Sequence, residues 1–220
     1  MVIIDIEGTD GSGKKTQTDL LYEFLVDEGY KCKRISFPSY DSPSSGPVKM
    51  YLGGELGDTA NCLDAYQAST TFAVDRLITM KMIKLDEYDY VLFDRYVPSN
   101  MIHQATKVRD EELDNFIDWV KDFEYNKLSL PRPDKIIFLD MPVEYSIKLA
   151  RARVELKNKQ SQDIHEKDDN HLSLAYKRAK YVAQKDKWVT VCCVNGENIK
   201  SIEEIHQEIL TKLGLKAKIR

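Results

Sequence analysis

An apolar run, Val2-Ile3-Ile4-Asp5-Ile6, leads almost directly into Gly8-Thr9-Asp10-Gly11-Ser12-Gly13-Lys14. That order reads as a buried strand, a glycine-rich turn and a helix opened by Lys14. Glycine at 8, 11 and 13 lets successive backbone N–H groups curl inward without Cβ clashes. The first helical turn adds free N–H groups and a positive dipole end, and Lys14 adds a mobile cation. Strand, turn and helix together favour a phosphate loop over a chance glycine-rich turn, because each part is needed to present phosphates. The segment Gly8, Asp10, Gly11, Ser12, Gly13, Lys14, Lys15 and Thr16 is therefore expected to hold a nucleotide triphosphate. One position departs from the pattern. Such a lysine is ordinarily followed by Ser or Thr, whose hydroxyl reaches Mg²⁺, and here Lys15 follows it. Thr16 does not simply replace it, since one step along a helix turns a side chain by about 100°.

Further along, strand-like runs and helical patterns alternate. Lys14 to about Glu28 reads as a helix closed by Gly29, and Lys31 to Ser36 as a strand. Leu63, Tyr66, Thr70, Ala73, Leu77 and Ile78 recur at helical spacing in a long segment ending near Asp86. Tyr90–Phe93, Ile136–Leu139 and Val189–Val194 read as further strands. A polar helical stretch holds Phe116, Trp119 and Val120. Pro142 opens a helix to about Leu156, and Ile202, Ile205, Ile209 and Leu213 form a last helix closed by Gly214. The alternation predicts an α/β fold, a five-stranded parallel sheet with helices on both faces, as one domain over residues 1–220.

The chain has 220 residues, 42% of them hydrophobic and 31% charged, as in an ordinary soluble protein. A net charge of −4 offers no electrostatic footprint for nucleic acid, so the phosphate chemistry is expected to concern small nucleotides. The first strand leaves no room for a signal peptide, and no run approaches the roughly 18 apolar residues of a membrane span. Cys32, Cys62, Cys192 and Cys193 show no C-x-x-C spacing and do not cluster with histidine, which fits reduced thiols in the cytoplasm.

Ligands of open parallel sheets collect beyond the carboxyl ends of the strands. Asp94, at the end of the Tyr90–Phe93 strand, stands where a carboxylate for Mg²⁺ or its waters is needed. Arg95 beside it can clamp a phosphate by two parallel N–H bonds; the plain alternative is a structural ion pair. Phosphoryl transfer needs converging cations, for which Lys14, Arg76, Arg95, Arg151 and Arg153 are the candidates. Phe72 and Arg76 lie four apart, a ring to stack a base and a donor near it, unless Phe72 is only core packing. Of the sixteen residues Glu155–Asn170, only Leu156 and Ile164 are apolar. Such a segment is either a solvated connector or a lid that opens cheaply; the preceding Arg151 and Arg153 favour the lid.

Gly8 to Gln17, Phe37-Pro38, Phe72-Ala73-Val74-Asp75-Arg76, Asp94 to Asn100, and Arg151 to Leu156 occur in the order seen in thymidylate kinases, which the chain resembles over nearly its whole length. The resemblance implies transfer of the ATP γ-phosphate to thymidine monophosphate, with Mg²⁺, in a cytosolic homodimer. It implies that Lys14 and the loop hold the ATP phosphates and that Asp10 sits near the acceptor sugar and phosphate. By the same resemblance Phe72 stacks on thymine, Arg76 hydrogen-bonds it, and Arg95 binds the acceptor phosphate. Phe37, Pro38, Ser99, Asn100 and Gln104 complete the acceptor pocket. Such kinases carry a catalytic arginine in the loop or in the lid. Gly11 occupies the loop position, so the chain looks like the lid type, with Arg153 as that arginine. Three positions depart: Lys15; Ser39-Tyr40, where many relatives have an arginine or an acid; and Asn158, where a second lid arginine is expected, with only Lys157 and Lys159 nearby. A kinase for another nucleotide or a deoxynucleoside, and a non-catalytic nucleotide-binding protein, are the competing readings.

Overall fold

In the computed structural model, residues 1–57, 59–156 and 169–216 are described. Five parallel strands form one sheet: β1 (Val2–Glu7), β2 (Cys32–Ser36), β3 (Tyr90–Asp94), β4 (Lys135–Asp140) and β5 (Val189–Cys192), in the order β2-β3-β1-β4-β5. The expected five-stranded parallel sheet is thus present, with β1 at its centre. Around it run α1 (Lys14–Asp27), α2 (Gly46–Leu52), α3 (Ala65–Lys81), α4 (Val97–His103), α5 (Leu113–Lys121), α6 (Val143–Leu156), α7 (Asp169–Lys185) and α8 (Ile202–Leu213). A hairpin of Val194–Asn195 with Asn198–Ile199 precedes α8.

Strand alternation builds two cores. Ile4, Ile6, Leu92, Ile137, Leu139 and Val191 pack with Leu21 and Leu25 of α1 and with Ile205 and Ile209 of α8. On the opposite face Ile3, Val91, Phe93 and Phe138 meet Met101, Phe116, Ile117, Ala175, Ala179 and Val182 from α4, α5 and α7. Helices on both faces explain why the strands read as near-continuous apolar runs.

Local chemistry sets the helix limits and corrects three expectations. The long segment from Leu63 starts as a helix two residues later, at Ala65, because Asp64 accepts from the Gln67 N–H at 2.8 Å while Gln67 accepts from that of Asp64. This reciprocal cap fixes the first turn of α3, which stops at Lys81; Leu85–Glu87 is a separate 3₁₀ turn. Its buried stripe also differs from the one expected: Ala65, Ala68, Ala73, Asp75, Arg76 and Met80 face inward, while Tyr66 and Ile78 are 41% exposed. The sequence reading misses α7 altogether. Its inward face is largely alanine, too weak a periodic signal, and includes Arg178, which donates to the carbonyls of Ala105 and Val108. The segment 157–168, to which the lid reading and Lys157, Asn158 and Lys159 belong, lies outside the described residues.

Asp5 is an anomaly in this fold. It lies mid-strand on the α4–α5–α7 side, fully buried, and neither carboxylate oxygen has a partner among the described residues. Burial, reinforced by Glu7 and Asp94, pushes its carboxyl well above the usual range. Below about pH 4 the acid is protonated in folded and unfolded chains alike. Above that, the unfolded chain releases the proton and the folded chain keeps it, so stability falls as pH rises toward the folded-state value. Asp5→Asn removes this linkage. It should match the parent near pH 4 and exceed it at about pH 8, as measured by denaturant unfolding across pH. Parallel pH profiles for the two proteins would refute the assignment.

Candidate active site

Beyond the carboxyl end of β1, Gly8 has φ 156°, and a Cβ there would stand 2.6 Å from Ser12 Oγ and 3.2 Å from the Leu139 carbonyl. Only glycine fits this close approach. Gly13, at φ 91°, precedes α1 without any side-chain cap, so the N–H groups of the first turn are left for an anion. The Lys14 ammonium is nearly buried, donates to the Thr9 carbonyl at 2.7 Å and lies 3.9 Å from Asp10 Oδ1. Burial, then the neighbouring Arg95, lowers its pKa to about 8. A cleft of about 130 Å³ opens here, lined by Asp10, Gly11, Gly13, Lys14, Lys15, Asp94 and Arg95. Ser12 is buried in the loop, and neither it nor Thr16 lines the cleft. Lys15 reaches its rim but spends its ammonium on Asp19, at 2.6 Å one turn along α1. Arg151 and Arg153 lie on the backbone of α6, and their side chains fall outside the described atoms.

Parallel pairing of β1 with β3, Ile6 opposite Asp94, sets the second strand end beside the loop. Asp94 accepts from Ser36 Oγ at 3.3 Å. Arg95 adopts φ 68°, a left-handed conformation that costs a non-glycine residue energy and that clusters at functional sites. The turn swings its guanidinium across to Asp10, with which it forms a short ion pair, and to His103 Nε2 at 2.7 Å. Burial, then Arg95, drives the His103 pKa well below its ordinary value, so the ring is neutral and Nε2 accepts from the arginine. Burial would raise the Asp10 carboxyl, but Arg95 and Lys14 outweigh it and hold the group well below the carboxylate range.

A second cavity of about 90 Å³ adjoins the first, sharing Asp10 and Arg95 as lining. Phe37, Pro38, Phe72, Arg76, Ser99, Asn100 and Gln104 complete the expected set, with Tyr40, Leu52 and His103 added. Phe72 is half-buried and makes an edge contact with Tyr51, ring centres 6.3 Å apart; its place on the cavity wall separates it from pure core packing. Arg76 is 1% exposed, and Glu124 grips it through Nε at 2.6 Å and Nη2 at 2.8 Å. The same carboxylate accepts from Asn100 Nδ2 at 2.8 Å, and the second Nδ2 proton goes to the Ser69 carbonyl. Arg76 Nη1 and the Asn100 carbonyl Oδ1 take no part in these bonds. Ser99 does not offer a free hydroxyl, since its Oγ lies 2.8 Å from both oxygens of Glu7.

Four functional supports escape the sequence reading: Glu7, Asp75, His103 and Glu124. Glu7 is fully buried and ties the Tyr96 N–H and Ser99 to β1. Asp75 accepts from the Ser39 N–H at 2.7 Å, anchoring the loop after Pro38 to α3. Glu124 sits in a π turn, Asp122–Lys127, where a wide turn often marks a functional site. No local pattern distinguishes the three acids from surface ones, because their partners lie far away in sequence.

The sequence profile of the thymidylate kinase family matches residues 6–209. A thymidylate kinase of Mycobacterium tuberculosis is 31% identical over 170 residues, which is 76% of this chain and 78% of the relative. Probable thymidylate kinases of Sulfolobus acidocaldarius and Pyrococcus horikoshii are 30% and 29% identical, each over 94% of this chain and covering 94% and 93% of the relatives. Among solved structures, the thymidylate kinase of Candida albicans superposes with a TM-score of 0.68 over 97% of this chain and 91% of that one, at 21% identity, a likeness of fold.

Two outcomes follow from the geometry. Glu124→Ala leaves the Arg76 charge buried and unpaired, and should destabilise the protein by about 3–5 kcal/mol in denaturant unfolding; a loss below about 1 kcal/mol would mean that Arg76 finds water instead. Lys14 is fully charged only below about pH 8. ATP binding should therefore take up a proton above that pH and weaken with each further pH unit, by up to about tenfold. Calorimetry in buffers of different ionisation enthalpy measures the uptake, and Lys14→Met should abolish it.

Proposed function

This chain belongs to the thymidylate kinase family, and we propose that it transfers the γ-phosphate of ATP to thymidine monophosphate, giving the diphosphate. The observation that carries the reading is the junction of two cavities at Asp10 and Arg95. A donor phosphate on the loop and an acceptor phosphate on Arg95 would meet there, and positioning is the larger part of phosphoryl transfer.

At the far end of the acceptor cavity, Arg76 Nη1 donates and Asn100 Oδ1 accepts. That pair matches the adjacent carbonyl and N–H of a thymine or uracil ring and mismatches cytosine, which would leave a buried donor facing a donor. Phe72 supplies a ring for the base to stack on. Asp10, held ionised, fixes Arg95 and lies near the acceptor sugar and phosphate, while Gln104, Phe37 and Pro38 close the wall. Lys14 and the loop N–H groups hold the donor phosphates. Charge developing on the transferred group falls to Lys14, Arg95 and the α6 arginines, with Arg153 as the lid-type catalytic cation and Arg151 beside it.

Mg²⁺ fits this site. Asp94 and Asp10 are the carboxylates on the cleft wall, Asp10 being paired with Arg95, and Mg²⁺ asks for one or two carboxylates with phosphates and water rather than a protein cage. Asp94 would hold it or its waters; when bound, the ion would neutralise charge on the donor phosphates. Lys15, paired with Asp19, supplies no oxygen ligand. Among the described residues no helix is long and apolar enough to cross a membrane. The reading places the enzyme in the cytoplasm as a homodimer, acting on free nucleotides; Ile78 and Met82, 41% and 74% exposed, give α3 and its end an apolar surface for a second copy.

The deciding experiment is ATP consumption with Mg²⁺ against dTMP, dUMP, dCMP, dAMP, dGMP and thymidine. Turnover of dTMP, with dUMP the nearest competitor, is the expected result; equal turnover of dCMP would discard the Arg76–Asn100 assignment, and no turnover would discard the kinase. Arg153→Ala should lower kcat by ~10³-fold with little change in KM. A change confined to KM would make Arg153 a binding residue.

A further inference from the structure

Where β4 and β5 begin, at the end of the sheet opposite the phosphate loop, lies a groove of about 400 Å³. It shares no lining residue with the two cavities above, and its size is that of a small-molecule site. Arg132, Lys135 and Lys187 line it, and none has a carboxylate partner among the described residues. The acids present are already engaged: Asp134 accepts from the Ile3 N–H at 2.7 Å, and Asp186 pairs with Lys121 at 2.6 Å.

Two details mark the charge as placed rather than incidental. Lys135 opens β4, and Lys187 stands two residues before β5, whose ladder with β4 begins at Ile137–Val189, so both charges lie at the same end of the sheet. Lys187 also has φ 56°. It ends α7 in a turn closed by Trp188 N–H to the Ala183 carbonyl at 2.9 Å, a position where glycine is strongly favoured. Beside it Trp188 is only 7% exposed, and its indole N–H has no acceptor among the described residues. A buried donor left unmatched beside three cations that lack a carboxylate partner calls for an anion.

The π turn joins this groove to the acceptor cavity. Tyr125 lines the groove while its neighbour Glu124 grips Arg76. Arg132 lies 4.3 Å above the Tyr125 ring and donates to Asn126 Oδ1 at 3.0 Å. We propose that the groove is a second, anion-binding site for a small molecule bearing a phosphate or pyrophosphate group, coupled to the acceptor cavity through this turn. An anion that draws Arg132 off Tyr125 and Asn126 loosens the turn and with it the Glu124 grip on Arg76. The coupling, though not the site, rests on the function proposed above.

Inorganic pyrophosphate is the probe, and Trp188 the reporter. The chain has two tryptophans, so Trp119→Phe leaves Trp188 alone, and Lys14→Ala takes the phosphate loop out of competition. Pyrophosphate should produce a saturable change in indole fluorescence. Its affinity should fall at least tenfold in Lys135→Ala/Lys187→Ala, both exposed positions, with an unchanged melting curve as the folding control. Lys187→Gly, which suits the turn and removes the charge, should also weaken it. No saturable signal, or an affinity indifferent to both lysines, would mean an adventitious ion only and overturn the site. For the coupling, calorimetric affinity for thymidine monophosphate should shift at least threefold with saturating pyrophosphate, and the shift should vanish in the double variant; an unshifted affinity overturns it. Thymidine monophosphate that does not bind at all would fault the proposed function and the coupling, and the fluorescence result would still decide the groove.

Discussion

The parallel pairing of β1 with β3 governs the site. Because Ile6 lies opposite Asp94, the phosphate loop and the Asp94–Arg95 strand end leave the sheet at the same level, one strand spacing apart. Neither segment alone makes a site: the loop offers N–H groups to an anion, and Arg95 offers a cation. Side by side, they let Arg95 reach Asp10 and so form the wall common to both cavities. The left-handed backbone at Arg95 is the local cost of that reach, and the ladder on either side holds it in place.

Buried charge is handled in two ways in this molecule. Arg76 is enclosed yet fully answered, since Glu124 takes two of its nitrogens and Asn100 completes the carboxylate's partners. Such a network leaves its members one orientation, with Arg76 Nη1 and Asn100 Oδ1 outside it. Asp5 is the opposite case: enclosed and unanswered, it is favoured in its neutral form. Both lie on the side of the sheet that packs α4, α5 and α7, where the apolar core gives way to polar groups as it approaches the acceptor cavity.

The residues expected to bind the acceptor, from Asp10 to Gln104, line a single cavity, although they come from the phosphate loop, the segment after β2, α3, and the β3–α4 region. Their identities were legible because each belongs to a short motif with its own signature. Their supports were not: Glu7, Asp75, His103 and Glu124 look like ordinary polar residues until distant partners surround them. Ser99 stands on the cavity wall with the others, its hydroxyl committed to Glu7.

The phosphate loop, the five parallel strands and the order of the helices that read as apolar stripes are written in the chain itself, because glycine spacing, strand runs and helical periodicity are local properties. That α7 exists as a core helix, which face of α3 is buried, and which carboxylate answers each buried arginine emerge from packing in space. Alanine faces and ion pairs carry no periodic signal, and the energy of a buried charge depends on what surrounds it in space rather than on its neighbours along the chain.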